Sequence, residues 1–168
     1  MKLRVLVLNL NNLDFTKQCI NDLLEQDISD FGITIVDQGS TELGTIEYLE
    51  DLPSSIDVIF NSKNESVNKM WNWFHQEHSE DLLCFLNNDV RIPHNFISDT
   101  VKVFEKESKV GIVAHATNHP SYQHILPVLN YAVVPKGINM QGWDYTIRRE
   151  CFTPIPSELK TYCGDAFL

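Results

Sequence analysis

Apolar positions along this chain alternate between two kinds of pattern. Leu3 to Leu8 is a short apolar run bounded by Asn9, Asn11 and Asn12, which predicts a strand buried on both faces and ending in a loop. Thr16, Ile20, Leu23 and Leu24 then fall on one helical face, with Phe15 and Cys19 beside it. Phe31 to Val36 is again rich in β-formers and ends in Asp37-Gln38-Gly39-Ser40-Thr41, a turn-forming group that leads into a helix running through Leu49. Ile56 to Phe60 reads as a third strand, and Val67, Met70, Trp71 and Phe74 recur at i, i+3, i+4 and i+7 as one helical stripe. Leu82 to Leu86 is a fourth strand stopped by Asn87-Asn88-Asp89. A further stripe at Ile97, Thr100, Val101 and Phe104 and a fifth strand at Val110 to Ala114 follow. Repeated strand-helix-strand order through residue 114 predicts an α/β fold, a mostly parallel sheet with helices on both faces.

After His115 the rhythm is lost. Pro120, Pro127, Pro135, Pro154 and Pro156 punctuate a segment whose clear apolar runs are Leu126 to Val134 and Tyr162 to Leu168. Such irregular stretches are expected to act as functional loops or lids. The chain stops inside the second run, which leaves C-terminal truncation open as an expectation. Residues 1–168 are read as one domain, with 1–114 a ligand-binding half and 115–168 an irregular, incomplete acceptor and lid part.

At 168 residues and 43% hydrophobic content, one domain of this size buries roughly 70% of its unfolded surface. The formal charge of −10, from 13 Lys and Arg against 23 Asp and Glu, argues against non-specific grip on nucleic acid, which needs clustered basic residues. A phosphate-bearing ligand would require a divalent cation to offset like-charge repulsion. Cys19, Cys84, Cys151 and Cys163 form no C-x-x-C pair and no finger spacing, and are read as reduced thiols of a cytoplasmic protein. No apolar stretch reaches the 18 residues or so of a transmembrane helix.

Spacing dismisses several familiar sites. There is no G-x-G-x-x-G, no Walker loop, and no glycine placed ahead of Gly39-Ser40 to make a nucleophile elbow. His115 and His119 have i, i+4 spacing, but Pro120 follows at once and no glutamate lies between them, so solvated loop histidines are the better reading. Polar groups at the ends of the first four strands remain. In an open parallel sheet those ends share the edge where ligands bind. Turn chemistry alone also favours Asn, Asp, Gly and Ser there.

Asn11-Asn12, Val36-Asp37-Gln38-Gly39-Ser40-Thr41-Glu42, Asn64-Glu65-Ser66 with Asn72 eight residues after Asn64, and Phe85-Leu86-Asn87-Asn88-Asp89-Val90 with Pro93 together resemble a family 2 glycosyltransferase of the GT-A fold. The match in order and spacing covers about residues 3 to 114. Tyr162-Cys163-Gly164 to Leu168 resembles a later strand of the same family.

The resemblance implies a Rossmann-like nucleotide-diphospho-sugar transferase fold. It implies that Asp37 accepts a hydrogen bond from the donor base at the ligand edge, outside the core, with Asn9, Leu10 and Asn64 lining the same pocket. Asn87-Asn88-Asp89 occupies the family's D-x-D position, so Asp89, and more weakly Asn87, are expected to hold Mn²⁺ or Mg²⁺ against the diphosphate. Asn87 replaces the first aspartate, Ser66 a usual glycine and Gln38 a common asparagine.

The family's general base follows the strand that begins near Gly164, where this chain ends. Asp144, Glu150 and Asp165 are the in-chain substitutes, each expected more readily as a solvated loop carboxylate. The implied reaction moves a sugar from a UDP, GDP or dTDP donor to a carbohydrate or other hydroxyl acceptor, with inversion and metal assistance. The alternative is a non-catalytic sugar-nucleotide-binding or assembly module lacking the base. Among the tryptophans, Trp71 is expected in the core, and Trp143 is the candidate for acceptor contact.

Overall fold

In the computed structural model, residues 1–114 and 144–159 are described. Strands β1 (Leu3–Asn9), β2 (Phe31–Asp37), β3 (Ile56–Phe60), β4 (Leu82–Asn87), β5 (Ile112–Val113) and β6 (Asp144–Arg148) form one sheet in the order β3-β2-β1-β4-β6-β5. Strands β1 to β4 are mutually parallel, and β6 lies antiparallel between β4 and β5. Valine, isoleucine and leucine dominate β1, β2 and β4 because both faces of these strands are covered.

Helices α1 (Leu13–Leu24), α2 (Thr45–Glu50) and α4 (Phe96–Lys106) cover one face, where Cys19, Ile20, Leu49, Ile97 and Phe104 cluster with Val5, Val7, Ile35 and Cys84. Helix α3 (Val67–Glu77) covers the other, laying Met70, Trp71 and Phe74 on Leu6, Leu83 and Phe85. One expected stripe member, Leu24, and one residue expected beside the stripe, Phe15, lie outside the core. Leu24 is 48% exposed and Phe15 52% exposed, while Cys19 is buried in their place. The buried arc of α1 is Thr16, Cys19, Ile20 and Leu23, since only that arc faces the sheet.

Strand β6 falls in the segment whose sequence carries no strand pattern. Its alternation is real but unusual, because Tyr145 and Ile147 join the α3-side cluster while Asp144 and Thr146 are buried on the other face. Two consecutive arginines at its end close helices on opposite faces of the sheet. Arg148 donates through Nε to the Val110 carbonyl at 2.8 Å and through Nη2 to that of Phe104 at 2.7 Å, just past and within the last turns of α4. Arg149 donates through Nε to His78 O at 2.9 Å and through Nη2 to His75 O at 3.2 Å, at the end of α3. Cations on otherwise unpaired terminal carbonyls are favourable both as hydrogen bonds and against the helix dipole.

From β6 the chain crosses α3 as a strap. Asn72 receives the Ile155 N–H on Oδ1 and donates from Nδ2 to the Ile155 carbonyl, both at 2.8 Å. One turn earlier, Asn68 donates to the Leu159 carbonyl. His75, one turn on, stacks on Phe152 with centroids 4.6 Å apart. Asn72, part of the sequence resemblance, therefore works here as a backbone clamp. Among the described residues, no helix is long and apolar enough to cross a membrane.

Candidate functional site

The carboxyl ends of β1, β2, β3 and β4 lie side by side, so their four loops form one rim, and buried side chains staple each loop to the next. After β1 the backbone turns through two left-handed residues, Asn11 (φ 55°) and Asn12 (φ 56°), a conformation that asparagine tolerates better than most side chains. Asn11 Oδ1 accepts the Thr41 and Glu42 N–H groups at 2.8 and 3.0 Å, and Ser40 Oγ accepts the Asn11 N–H at 2.7 Å. The first and second loops are thereby locked.

Asp37 is the hub of that lock. It is 1% exposed. Its Oδ1 accepts from Asn9 Nδ2 at 2.7 Å and Ser40 Oγ at 2.5 Å, and its Oδ2 from the Gly39 and Ser40 N–H groups at 3.0 and 2.9 Å. A carboxylate has about four lone-pair sites, and four donors occupy them. The expectation that Asp37 lies outside the core is corrected: it ends β2 at the rim, but with its carboxylate turned into the protein.

The network continues under the fourth loop. Asn9, fully buried, accepts on Oδ1 from Thr16 Oγ1 at 2.5 Å and from Asn88 Nδ2 at 3.1 Å. Asn88 Nδ2 also reaches Thr16 Oγ1 at 2.9 Å and the Asn11 carbonyl at 3.2 Å. Asn87 and Asp89, on either side, are exposed. The Asn87-Asn88-Asp89 triplet thus divides its labour, with the middle residue fastening the loop and the outer two presenting oxygen to solvent. Sequence reading passed over Thr16, Ser40 and Asn88 as organisers. The signal available for Asn88 was the alternation of residues beyond a strand end, which turns i+1 inward when i and i+2 face outward.

The third loop is fastened through Gln38 and Gly39. Gln38 Oε1 accepts from Asn61 Nδ2 and from the Glu65 N–H, each at 3.1 Å. Gly39 has φ +78°, and a Cβ placed on it would stand 3.0 Å from Lys63 Cα. Gly39→Ala is accordingly expected to lower the unfolding free energy by about 2 kcal/mol, from left-handed strain plus displacement of the loop. Gly44→Ala, also at positive φ but meeting only the Leu13 side chain at 3.4 Å, should be milder. Urea denaturation of both variants checks this, and equal stability losses would refute the backbone-contact argument.

The rim brings Asn9, Leu10, Asp37, Asn64, Asn87 and Asp89 to one edge, with Leu10 half-buried and Asn64 exposed. Asp144 is also there: it pairs with Leu86 at the end of β4 and is 8% exposed, a strand residue instead of the expected loop carboxylate. Glu150 is at the opposite edge, lining a cavity of about 310 Å³ with Ser79, Asp81 and Arg149. The 6 residues of β4 put about 20 Å between the two edges. Asp165, Trp143, His115 and His119 lie outside the described residues, as does most of the expected lid.

Asp89 and Asn87 offer a carboxylate and an amide oxygen, hard donors that suit Mg²⁺ or Mn²⁺. Among the described residues no group of three His, Cys, Asp or Glu side chains gathers to hold a metal. The described cysteines are free thiols, and burial pushes Cys19 and Cys84 up to about 12, leaving both protonated at neutral pH. Trp71 is core, 6% exposed and edge-on to Phe85 and Tyr145.

The fold is that of GT-A glycosyltransferases. S. aureus TarS superposes with a TM-score of 0.71 at 17% identity, covering 99% of this chain and 32% of that one. The mannosyltransferase PcManGT from Pyrobaculum calidifontis, in complex with GDP-Man and Mn²⁺, superposes with a TM-score of 0.67 at 15% identity, covering 88% and 44%. An uncharacterized glycosyltransferase of Nostoc sp. is 31% identical over 119 residues, 68% of this chain and 36% of that protein, so the chain spans about a third of the length of that relative. The sequence profile of glycosyl transferase family 2 matches residues 5–157, nearly the whole chain including every loop of the rim, and the chain belongs to that family.

Proposed function

We propose that the rim holds a nucleoside-diphosphate sugar, base toward Asp37 and diphosphate toward Asp89, and that the protein passes the sugar to an acceptor hydroxyl with inversion. The observation that carries this reading is the polarity of the rim: a buried network that saturates the Asp37 carboxylate at the ends of β1 and β2 on one side, and an exposed carboxylate with an amide oxygen after β4 on the other. Family membership supports the class of reaction. The complexes of TarS with UDP-GlcNAc and of PcManGT with GDP-Man and Mn²⁺ support a donor of this kind at a fold of this kind.

The chain's own residues do the positioning. Asn9, Asn11, Asp37, Ser40 and Asn88 hold the loops in place before ligand arrives, which reduces the ordering cost of binding. Asp89, with Asn87 beside it, would hold Mn²⁺ or Mg²⁺. When bound, such an ion would supply charge neutralisation for a departing diphosphate, which an acidic chain cannot provide alone. Of the three carboxylates considered as general base, Asp144 alone of the described pair stands at the ligand edge. Its near-complete burial favours, as a second reading, a donor-binding module without turnover.

Calorimetric titration with UDP, GDP and dTDP, with and without Mn²⁺, tests the reading. Asp89→Asn should weaken Mn²⁺ binding in the presence of the bound diphosphate tenfold or more, and Asn87→Asp should strengthen it, because a hard cation prefers carboxylate to amide oxygen. Electron spin resonance of free manganese reads both. Wild-type affinity in Asp89→Asn would mean that the triplet is only a turn. Release of free nucleoside diphosphate from a sugar donor, dependent on an added hydroxyl acceptor, separates transfer from binding alone.

A further inference from the structure

We propose that Asp22 is a positioning residue for the rim: acting through Arg91, it fixes the backbone that carries Asp89 and so sets how tightly a divalent cation is held beside a bound diphosphate. The inference rests on the donor-binding reading above and adds the device that orients its exposed carboxylate. Asp89 is exposed, and its side chain takes no hydrogen bond or ion pair from the described residues. Where its carboxylate stands therefore depends on how firmly the chain on either side is held.

On the N-terminal side Asn88 holds it, through Nδ2 bonds to Asn9 Oδ1, the Asn11 carbonyl and Thr16 Oγ1. On the C-terminal side helix α1 holds it. Gln18 and Asp22 lie one turn apart on that helix, and Gln26 continues the row just past its end. Asp22 receives Arg91 twice, from Nε at 2.6 Å and from Nη2 at 2.8 Å, and accepts the Ile92 N–H at 3.1 Å. Arg91 Nη1 donates to Gln18 Oε1 at 3.2 Å. Gln26 accepts the Ile97 N–H and donates to the Pro93 carbonyl, both at 2.9 Å. Val90 packs on the core cluster of that face. Asp89 is thus a free side chain on a stretch anchored one residue before it and two residues after it.

An ion pair whose arginine side chain is 63% exposed adds little to global stability. A bidentate fork backed by a bond to the next backbone N–H fixes direction instead, and a lysine ammonium could not reproduce it. The opposite charges of the partners separate positioning from simple electrostatics. Removing the Asp22 carboxylate takes a negative charge from the neighbourhood of a cation at Asp89, and removing the Arg91 guanidinium takes a positive one. A field acting alone would weaken the ion's binding in the first case and strengthen it in the second. Loss of the fork frees the same backbone in both, so positioning weakens binding both times.

The test is Mn²⁺ titration of the 168-residue chain with UDP present, read by electron spin resonance of free manganese, for Asp22→Asn, Arg91→Met and Arg91→Lys. Asp22→Asn and Arg91→Met should each weaken Mn²⁺ about three- to tenfold, with Arg91→Lys close to Arg91→Met despite its retained charge. On an Asp89→Asn background both effects should shrink to within about twofold, since the group being positioned is gone. Urea unfolding of the same variants supplies the control. Lower stability with unchanged Mn²⁺ affinity makes the pair merely structural and overturns the inference, as do opposite shifts in Asp22→Asn and Arg91→Met or full-sized effects on Asp89→Asn. Hydrogen exchange on the wild type needs no variant to fold: the Ile92 and Ile97 amides should be protected without ligand, and exchange at the rate of a free loop overturns the clamp. Failure of the wild type to bind UDP with Mn²⁺ overturns the donor-binding reading, and this inference with it.

Discussion

Asp37→Ala is expected to abolish nucleoside-diphosphate binding and, in the same variant, to lower the unfolding free energy by roughly 3 to 5 kcal/mol. The two effects share one cause. Removing the carboxylate leaves Asn9 Nδ2 and the Gly39 and Ser40 N–H groups without their acceptor, and frees Ser40 Oγ from the hub. Each buried donor left unmet costs about 1 to 3 kcal/mol, more than the net value of the bond it lost. Against a total stability of roughly 5 to 15 kcal/mol for a chain of this kind, the loss is large. Urea unfolding beside calorimetric titration checks it. Loss of binding with unchanged stability would show Asp37 to be a free ligand-contacting group and the hub argument to be mistaken. Asp37→Asn should be milder in stability, because it keeps an oxygen for the two backbone donors.

Trp71→Ala is expected to cost about 3 to 5 kcal/mol while leaving the nucleotide affinity of the folded fraction near that of the wild type. Trp71 stands edge-on to Phe85 at 5.5 Å and to Tyr145 at 5.3 Å, so its ring joins α3 to β4 and, through Tyr145, to β6. Truncation opens a cavity at the point where the antiparallel strand is held to the parallel part of the sheet. Thermal unfolding with a titration at low temperature separates the two readouts. A small stability change accompanied by lost affinity for a sugar nucleotide, but not for the nucleoside diphosphate, would make Trp71 a sugar-stacking platform instead.

Within the site, the sequence and the structure agree on location and differ on direction. Asp37, Asn64 and Asp89 were legible as rim residues because each follows an apolar run by a residue or a few, and the ends of parallel strands share an edge. Which of them point outward was not legible. Asp89 faces solvent and Asp37 does not, since the second depends on Asn9 and Ser40 meeting it across the gap between β1 and β2. Gln38 was legible only as a replacement for a common asparagine, yet its reach to Asn61 and Glu65 ties the third loop to the second.

Local periodicity by itself determined the order of β1 through β4 with their helices, because strands covered on both faces read as unbroken apolar runs and helices carry a 3.6-residue stripe. It likewise determined where the polar loops fall. Tertiary structure alone decided the place of β6, whose residues Asp144, Thr146 and Arg148 look polar in sequence and are accommodated by Leu86, Cys84 and Leu82 of β4 opposite them. It also decided that Arg148 and Arg149 close helices on opposite faces, and that Asn88 faces the buried network while its neighbours face solvent. Periodicity records which face of an element is covered. It is silent on polar partners 28 to 79 residues apart in sequence, such as Asn9 with Asp37 and with Asn88, because those bonds exist only once the sheet has brought the strand ends together.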